Sequence, residues 1–337
     1  MNFMNKVLII AEAGVNHNGS LELAKQLVDK ALEAGVDYVK FQAGVPELVA
    51  SKFAQKAEYQ KATTGEHESQ LDMIRKITLT PEQQRQLAAY CREAGAHYLC
   101  TPFDLPSIEL LQELGMKLWK VPSGEITNYP YLKVIAQIGL PVIMSTGMAD
   151  MKDIEEALGI LVKYGTPKDK ITLLHCTTEY PAPKDEVNLR AMNALKEYFG
   201  VEIGYSDHTQ GIEIPIAAVA MGARVIEKHF TLDRNMEGPD HKASLEPHEL
   251  KNMVECIRNV ENALGDGIKR VAASELKNKA IARKSIVAFR NIAAGEVFSE
   301  ENLITKRPAN GLSPMMWEEV IGKVAKRDFL EDEPIEL

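Results

Sequence analysis

Two lysines occupy places where apolar side chains would be expected: Lys40 in YVKFQ and Lys120 in LWKVPSGE. If both segments are strands, alternate side chains face opposite ways. Val39 and Phe41 then turn one way, and Lys40 and Gln42 the other; Lys120 shares its face with Leu118, and Ser123 follows at the strand tip. A single strand lysine serves equally well as a snorkelling or edge residue. Two of them, joined by the hydroxyls of Ser123, Ser145 in STGM and Ser206 in YSDH, are equipment for a phosphate and a carboxylate on one small molecule. Phosphoenolpyruvate is a dianion of that kind.

A second group suggests a cation. His208 closes EIGYSDH and His229 stands near the end of VIEKHF. Adjacent strands lie about 4.8 Å apart, so the two imidazoles could share one ion. Glu227 falls on the His229 face, and Asp240 follows in GPDH with His241 beside it. Such a cluster with open positions suits Mn²⁺, or Mg²⁺ or Co²⁺, polarising a carbonyl; the alternative is two histidines that only hydrogen-bond in a crowded barrel end. Glu227 is the candidate for activating a water. Glu12, after an apolar run in AEAGVNHNG, either acts on substrate or braces the next loop. The NHNG turn fits an Asx-type turn as well as sugar recognition. Tyr180 in HCTTEYPAP is either fixed over the site by the prolines that follow or a packing residue.

These residues need a scaffold that brings many strand ends together. Eight short apolar runs start at Lys6, Tyr38, His97, Leu118, Pro141, Ile171, Glu202 and Val225, separated by helical patterns such as LELAKQLVDKALEAG and DIEEALGILVKYG. Strand and helix alternation implies a parallel sheet. Eight such units in residues 1–265 approach the roughly 250 residues of a (β/α)8 TIM barrel, where catalytic groups gather at the carboxyl ends of the strands. No GxGxxG follows the first strand. The connection from Ala43 to Leu79 is far longer than ordinary loops and reads as a functional insertion over the mouth, locally helical in KAEYQ and ESQLDMIRKI. Residues 266–282 read as a linker. Residues 283–337 read as a small module of short strands and turns that docks on a barrel, its own or a neighbour's.

Composition narrows the partners. In 337 residues, 39 lysines and arginines face 48 acids, a formal charge of −9. That field repels polyphosphate backbones, so nucleic acid is excluded. No apolar stretch approaches the roughly 20 residues that span a bilayer, and four scattered cysteines without CxxC spacing read as reduced thiols of a soluble, cytoplasmic protein.

AEAGVNHNGS, VKFQ, CTPFD, WKVPSGE, STGM, LLHCTTEYPAP, GYSDHT, IEKHFTLD, GPDHKAS, ARKSI and KRPANGLSP, in that order, resemble the sialic acid synthases over nearly the whole chain, and the KAEYQ and ESQ stretch resembles the bacterial N-acetylneuraminate branch. The resemblance implies that His208 and His229 bind the divalent metal, and that Lys40, Lys120, Ser123, Ser145 and Ser206 hold phosphoenolpyruvate. It implies that Glu12, Tyr180 and Asp240 contact an open-chain amino sugar, with Gln42, Thr101 and Thr178 among the substrate contacts. The terminal module is similar to antifreeze-like (SAF) domains, which implies a domain-swapped homodimer in which Arg307 reaches the partner's site. Two positions depart: some relatives carry asparagine at Thr177 or Thr178, and many carry glycine at Ala309. The implied reaction joins phosphoenolpyruvate, N-acetylmannosamine and water into N-acetylneuraminate and phosphate. The alternatives are a legionaminate or pseudaminate synthase using a 2,4-diacetamido-6-deoxy sugar, a metal aldolase, and a non-catalytic carbohydrate-binding protein.

Overall fold

The computed structural model describes residues 6–65 and 67–337. The chain divides into two compact units, the first ending at Gly265 and the second spanning Asp266–Leu337. The eight apolar runs of the first unit are eight strands: β1 (Leu8–Gly14), β2 (Tyr38–Ala43), β3 (Tyr98–Pro102), β4 (Trp119–Val121), β5 (Val142–Ser145), β6 (Ile171–His175), β7 (Glu202–Asp207) and β8 (Val225–His229). Every ladder between them is parallel, in the order β3-β2-β1-β8-β7-β6-β5-β4, so the sheet wraps into a nearly closed (β/α)8 barrel.

Helices α1 (Leu21–Ala34), α5 (Pro81–Ala94), α6 (Leu105–Glu113), α7 (Tyr129–Ile138), α8 (Met151–Tyr164), α9 (Arg190–Phe199), α10 (Glu213–Ala220) and α11 (Pro247–Leu264) cover the sheet; α2 (Pro46–Val49), α3 (Glu58–Thr64) and α4 (Gln70–Ile77) make up the long insertion after β2. Local sequence sets the helix ends. The Ser20 hydroxyl accepts from Leu23 N–H at the start of α1, and Gly35 ends it at φ 79°, a left-handed backbone that a side chain would strain. Between β3 and β4 the described residues show no ladder. There the buried Tyr131 hydroxyl of α7 donates to the Pro102 carbonyl at 2.9 Å, satisfying one acceptor at the seam, and lies 3.4 Å from the Lys120 carbonyl.

Because the strands are covered on both faces, β1 is buried along its whole length, Glu12 included. A buried carboxylate needs partners, and the register supplies them: Glu12 pairs with Lys40 on β2 and with His229 on β8. The ladder slips between Glu12 and Gly14, a bulge at the mouth of the barrel.

The second unit has its own small core, with Ile286, Phe298 and Phe329 at its centre, around the antiparallel pair β9 (Ser285–Ala288) and β10 (Leu303–Lys306). The segment read as a linker contains helix α12 (Leu276–Ala282), which bonds within this unit: Ala309 N–H donates to the Ala280 carbonyl at 3.0 Å. The four cysteines are free thiols. Among the described residues no helix is long and apolar enough to cross a membrane.

Candidate active site

Lys40 and Lys120 both point into the barrel, as the period-2 reading requires, and both are buried. Lys40 Nζ lies 3.0 Å from Glu12 Oε2 and 3.4 Å from Glu227 Oε2, and donates to Thr101 Oγ1 at 3.1 Å. Lys120 Nζ donates to Ser145 Oγ at 2.8 Å and to Glu227 Oε1 at 3.2 Å. Ser206 Oγ donates to the same Glu227 oxygen at 3.0 Å, and Gln42 Nε2 to Glu12 Oε1 at 3.2 Å. Two cations and two carboxylates thus meet in one place, contributed by β1, β2, β4 and β8.

Their protonation differs with their surroundings. Burial works against the charge on Glu227, but Lys120 and Lys40 outweigh it and hold the carboxyl well below the ordinary range. Burial raises Glu12 to about 7 against the pull of Lys40. Burial also lowers Lys120, with Glu227 opposing; on Lys40 burial is outweighed by Glu12 and Glu227, and its pKa is raised. An anion held that firmly accepts protons poorly, and both of its oxygens face ammonium groups. Glu12 is the carboxyl poised near neutral pH.

Beside this pair lies a small cradle. Ser123 Oγ accepts from Gly147 N–H at 3.0 Å and sits 3.3 Å from Cys176 Sγ. A Cβ on Gly147 would stand 2.2 Å from Thr178 Oγ1 and 2.8 Å from Ser123 Oγ, so only glycine lets the backbone come this close. The buried Thr178 hydroxyl has no partner. Gly147 was not singled out from the sequence; the STGM motif carried the signal.

His208 and His229 meet at the ends of β7 and β8, ring centroids 5.3 Å apart. A carbonyl only accepts, so the 2.6 Å contact of His208 Nδ1 with the Thr177 carbonyl puts the proton on Nδ1 and leaves the Nε2 lone pair for a ligand. His229 Nδ1 is buried without a hydrogen-bond partner, 3.9 Å from Asp240 Oδ2. Burial lowers His208 to about 4 and His229 well below its usual value, so both rings are neutral, the form that ligates a cation. Among the described residues no three His, Cys, Asp or Glu side chains gather as a ready cage. The pair of neutral imidazoles, with His208 Nε2 left free by its Nδ1 contact and His229 Nδ1 unpartnered, is a donor set that fits a divalent cation. Glu227, expected in that cluster, is engaged by the lysines instead. His241 is turned onto Thr231 Oγ1 at 2.7 Å and Asn18 Oδ1 at 3.2 Å.

The Tyr180 ring packs over His208 at 4.2 Å and meets the edge of His229 at 5.5 Å. Tyr59 of α3, which the sequence reading passed over, stacks near it at 5.0 Å. Tyr180, His229 and Asp240 open onto a cleft of about 270 Å³ whose far side is the α2–α4 insertion, as the placement of that insertion predicted. The NHNG turn takes its structural role. Asn16 Nδ2 donates to the Phe230 carbonyl and Ser244 Oγ, and Asn18 Nδ2 to the Glu237 carbonyl, bracing the loop that carries Asp240. Arg307 belongs to the second unit, where its Nε donates to the Ala282 carbonyl at 2.9 Å.

The (β/α)8 barrel thus gathers paired lysines, hydroxyls and two neutral histidines at its carboxyl-terminal mouth, the end where enzymes of this fold carry their catalytic groups. The comparisons with known proteins give the family. The NeuB family pattern matches residues 27–269 and the SAF domain pattern residues 283–337. The chain belongs to the NeuB family of sialic acid synthases. It is 57% identical to an N,N'-diacetyllegionaminic acid synthase of Campylobacter jejuni over 98% of this chain and 99% of that one. It is 45% identical to the Legionella pneumophila protein of the same name, over 93% and 89%. The crystal structure of an N-acetylneuraminic acid synthetase from Leptospira borgpetersenii, in complex with citrate, matches with a TM-score of 0.70 at 36% identity, covering 81% of this chain and 90% of that one.

Proposed function

We propose that this protein joins phosphoenolpyruvate to a 2,4-diacetamido-6-deoxy sugar and water, releasing phosphate and N,N'-diacetyllegionaminate. The observation that carries the reaction is the convergence of Lys40 and Lys120 with His208 and His229 at one barrel mouth. The choice of sugar rests on the Campylobacter and Legionella relatives, both named for the legionaminic product. N-acetylmannosamine, the acceptor expected from the sequence, becomes the second reading.

In this reading Lys40, Lys120, Ser145 and Ser206 hold the phosphoenolpyruvate anion, with Ser123, Gly147 N–H and Thr178 as the adjoining cradle. A divalent cation held by His208 and His229, Mn²⁺ by preference, would polarise the aldehyde oxygen. The enol π electrons of phosphoenolpyruvate form a bond from its carbon 3 to the aldehyde carbon, whose oxygen takes up a proton. Water adds at carbon 2 and loses a proton. The resulting hemiketal phosphate breaks its carbon–oxygen bond, expelling phosphate as the 2-keto group forms. Glu12, near neutrality, is placed to move these protons, Glu227 keeps the ammonium groups aimed, and Gln42 and Thr101 fix Glu12 and Lys40. Tyr180 and Asp240 border the sugar. We further place the protein in the cytoplasm as a swapped homodimer, in which Arg307 of a second copy completes the sugar site.

The test is to incubate the purified protein with phosphoenolpyruvate, Mn²⁺ and a panel of N-acetylated sugars, measuring phosphate and product mass. Equimolar phosphate and a nine-carbon 2-keto acid are expected. Activity with free pyruvate would instead indicate an aldolase, and sugar binding with no phosphate release would indicate a non-catalytic protein.

A further inference from the structure

The cleft beside the histidines is chemically two-sided. Its inner end holds Tyr180, His229 and Asp240, and its outer wall is built by the insertion: Val49 of α2, Ile74 and Ile77 of α4, with Phe103 opposite. Ile74, Ile77, Val49 and Phe103 are half-buried, so part of each apolar surface stays open to the cleft. Gln60 and Gln70 add neutral amides to this wall. Among the described residues no lysine or arginine lines the cleft, and Asp240 is the carboxylate in its lining.

An open-chain sugar whose aldehyde carbon lies at the histidines must extend its other end along this cleft, because Lys40 and Lys120 occupy the opposite side with the first substrate. We infer that the α2–α4 insertion is the specificity element of the enzyme: the wall of Val49, Ile74, Ile77 and Phe103 takes the 6-methyl and 4-acetamido end of the sugar and rejects a 6-phosphate. This rests on the reading of the site as a condensation centre. The physical argument has two parts. A methyl group gains by leaving water against such a wall, whereas a hydroxyl there loses hydrogen bonds. A phosphate dianion at this outer end would meet an apolar wall with no lysine or arginine of this chain among the described lining residues. Apolar contacts on this scale discriminate between substrates by about 10–200-fold.

The experiment compares kcat/KM for three acceptors, the 2,4-diacetamido-6-deoxy sugar, N-acetylmannosamine and N-acetylmannosamine 6-phosphate, in the wild type, Ile74→Ser and Ile77→Arg. The wild type should prefer the deoxy sugar at least about tenfold over N-acetylmannosamine and leave the phosphorylated sugar almost unused. Ile74→Ser should cut that preference about tenfold, and Ile77→Arg should raise relative use of the phosphorylated sugar by a similar factor. Val49→Ser, on a different helix, repeats the test if α4 does not tolerate substitution, and thermal melts check folding. Calorimetric titration of the deoxy sugar reads the wall without turnover, with affinity expected to fall about tenfold in Ile74→Ser. Equal use of the deoxy sugar and N-acetylmannosamine by the wild type, or a preference and an affinity unmoved in the folded variants, would overturn the inference while leaving the condensation intact. Absence of phosphate release with every acceptor, alongside the expected loss of sugar affinity, would overturn the condensation and leave the specificity wall standing.

Discussion

The barrel buries two charged networks on opposite faces of the same strands, and they end differently. On the face toward the helices, Lys228 Nζ pairs with Asp207 Oδ2 at 2.6 Å, both side chains fully buried. Asp207 Oδ1 accepts from the N–H and the hydroxyl of Thr209, at 3.0 and 2.9 Å, and Lys228 also donates to the Thr209 carbonyl. Register sets Asp207 beside Lys228 across β7 and β8, so this pair clamps the strand ends that carry His208 and His229. On the inward face, Lys40, Lys120, Glu12 and Glu227 also pair, yet beside them His229 Nδ1 and Thr178 Oγ1 have no hydrogen-bond partner. A network that satisfies itself is finished as structure. One with loose polar ends, buried at a mouth, is completed by a ligand.

That contrast sets the expected responses. Lys228→Met should destabilise the barrel by about 3–5 kcal/mol, because Asp207 is left buried and unpaired; replacing both residues with apolar ones should restore most of the loss. A melt should show Tm falling by roughly 10 °C in the single variant. A small shift would mean that the outward pair is not the clamp described here. Lys120→Met, on the inward face, should lower kcat/KM about 10²–10³-fold, with a smaller change in Tm than Lys228→Met. Equal losses of stability on both faces would erase the distinction. Gly147→Ala, whose Cβ would press on Thr178 and Ser123, should raise the KM for phosphoenolpyruvate about tenfold, with a loss of about 1–3 kcal/mol in stability, smaller than in Lys228→Met.

The smallest expected effect is on pH dependence. Burial raises Glu12 above its unfolded value of 4.5, to about 7. A carboxyl shifted upward favours folding most fully below its unfolded pKa, and that contribution is lost as pH rises through the folded pKa. Glu12→Gln should therefore be less sensitive than the wild type between about pH 4.5 and 7 in denaturant titrations. Identical pH profiles would remove Glu12 as the group poised near neutrality.

Much of this was legible because strand geometry is so regular. In YVKFQ, LWKVPSGE and VIEKHF a period of two suffices to turn Lys40, Lys120, Glu227 and His229 inward together, and the eight apolar runs at barrel spacing bring their strand ends to one mouth. What remained hidden depends on relations between distant segments. The pairing of Asp207 with Lys228 needs the register of β7 on β8. The Tyr131 hydroxyl at the β3–β4 seam, the close approach at Gly147 and the apolar wall of α4 need three-dimensional packing. The partners of Glu227 were hidden for the same reason: its face was readable, but the two ammonium groups that face its oxygens lie 187 and 107 residues away, at Lys40 and Lys120.

The central claim is that the inward network is a ligand site and the outward one is structure. Calorimetric titration of phosphoenolpyruvate alone tests it, into the wild type, a Lys40→Met/Lys120→Met variant and a Lys228→Met/Asp207→Leu variant. The wild type and the outward variant should bind alike, and the inward variant should show no measurable heat of binding. Retained binding in the inward variant, or loss confined to the outward one, would contradict the account.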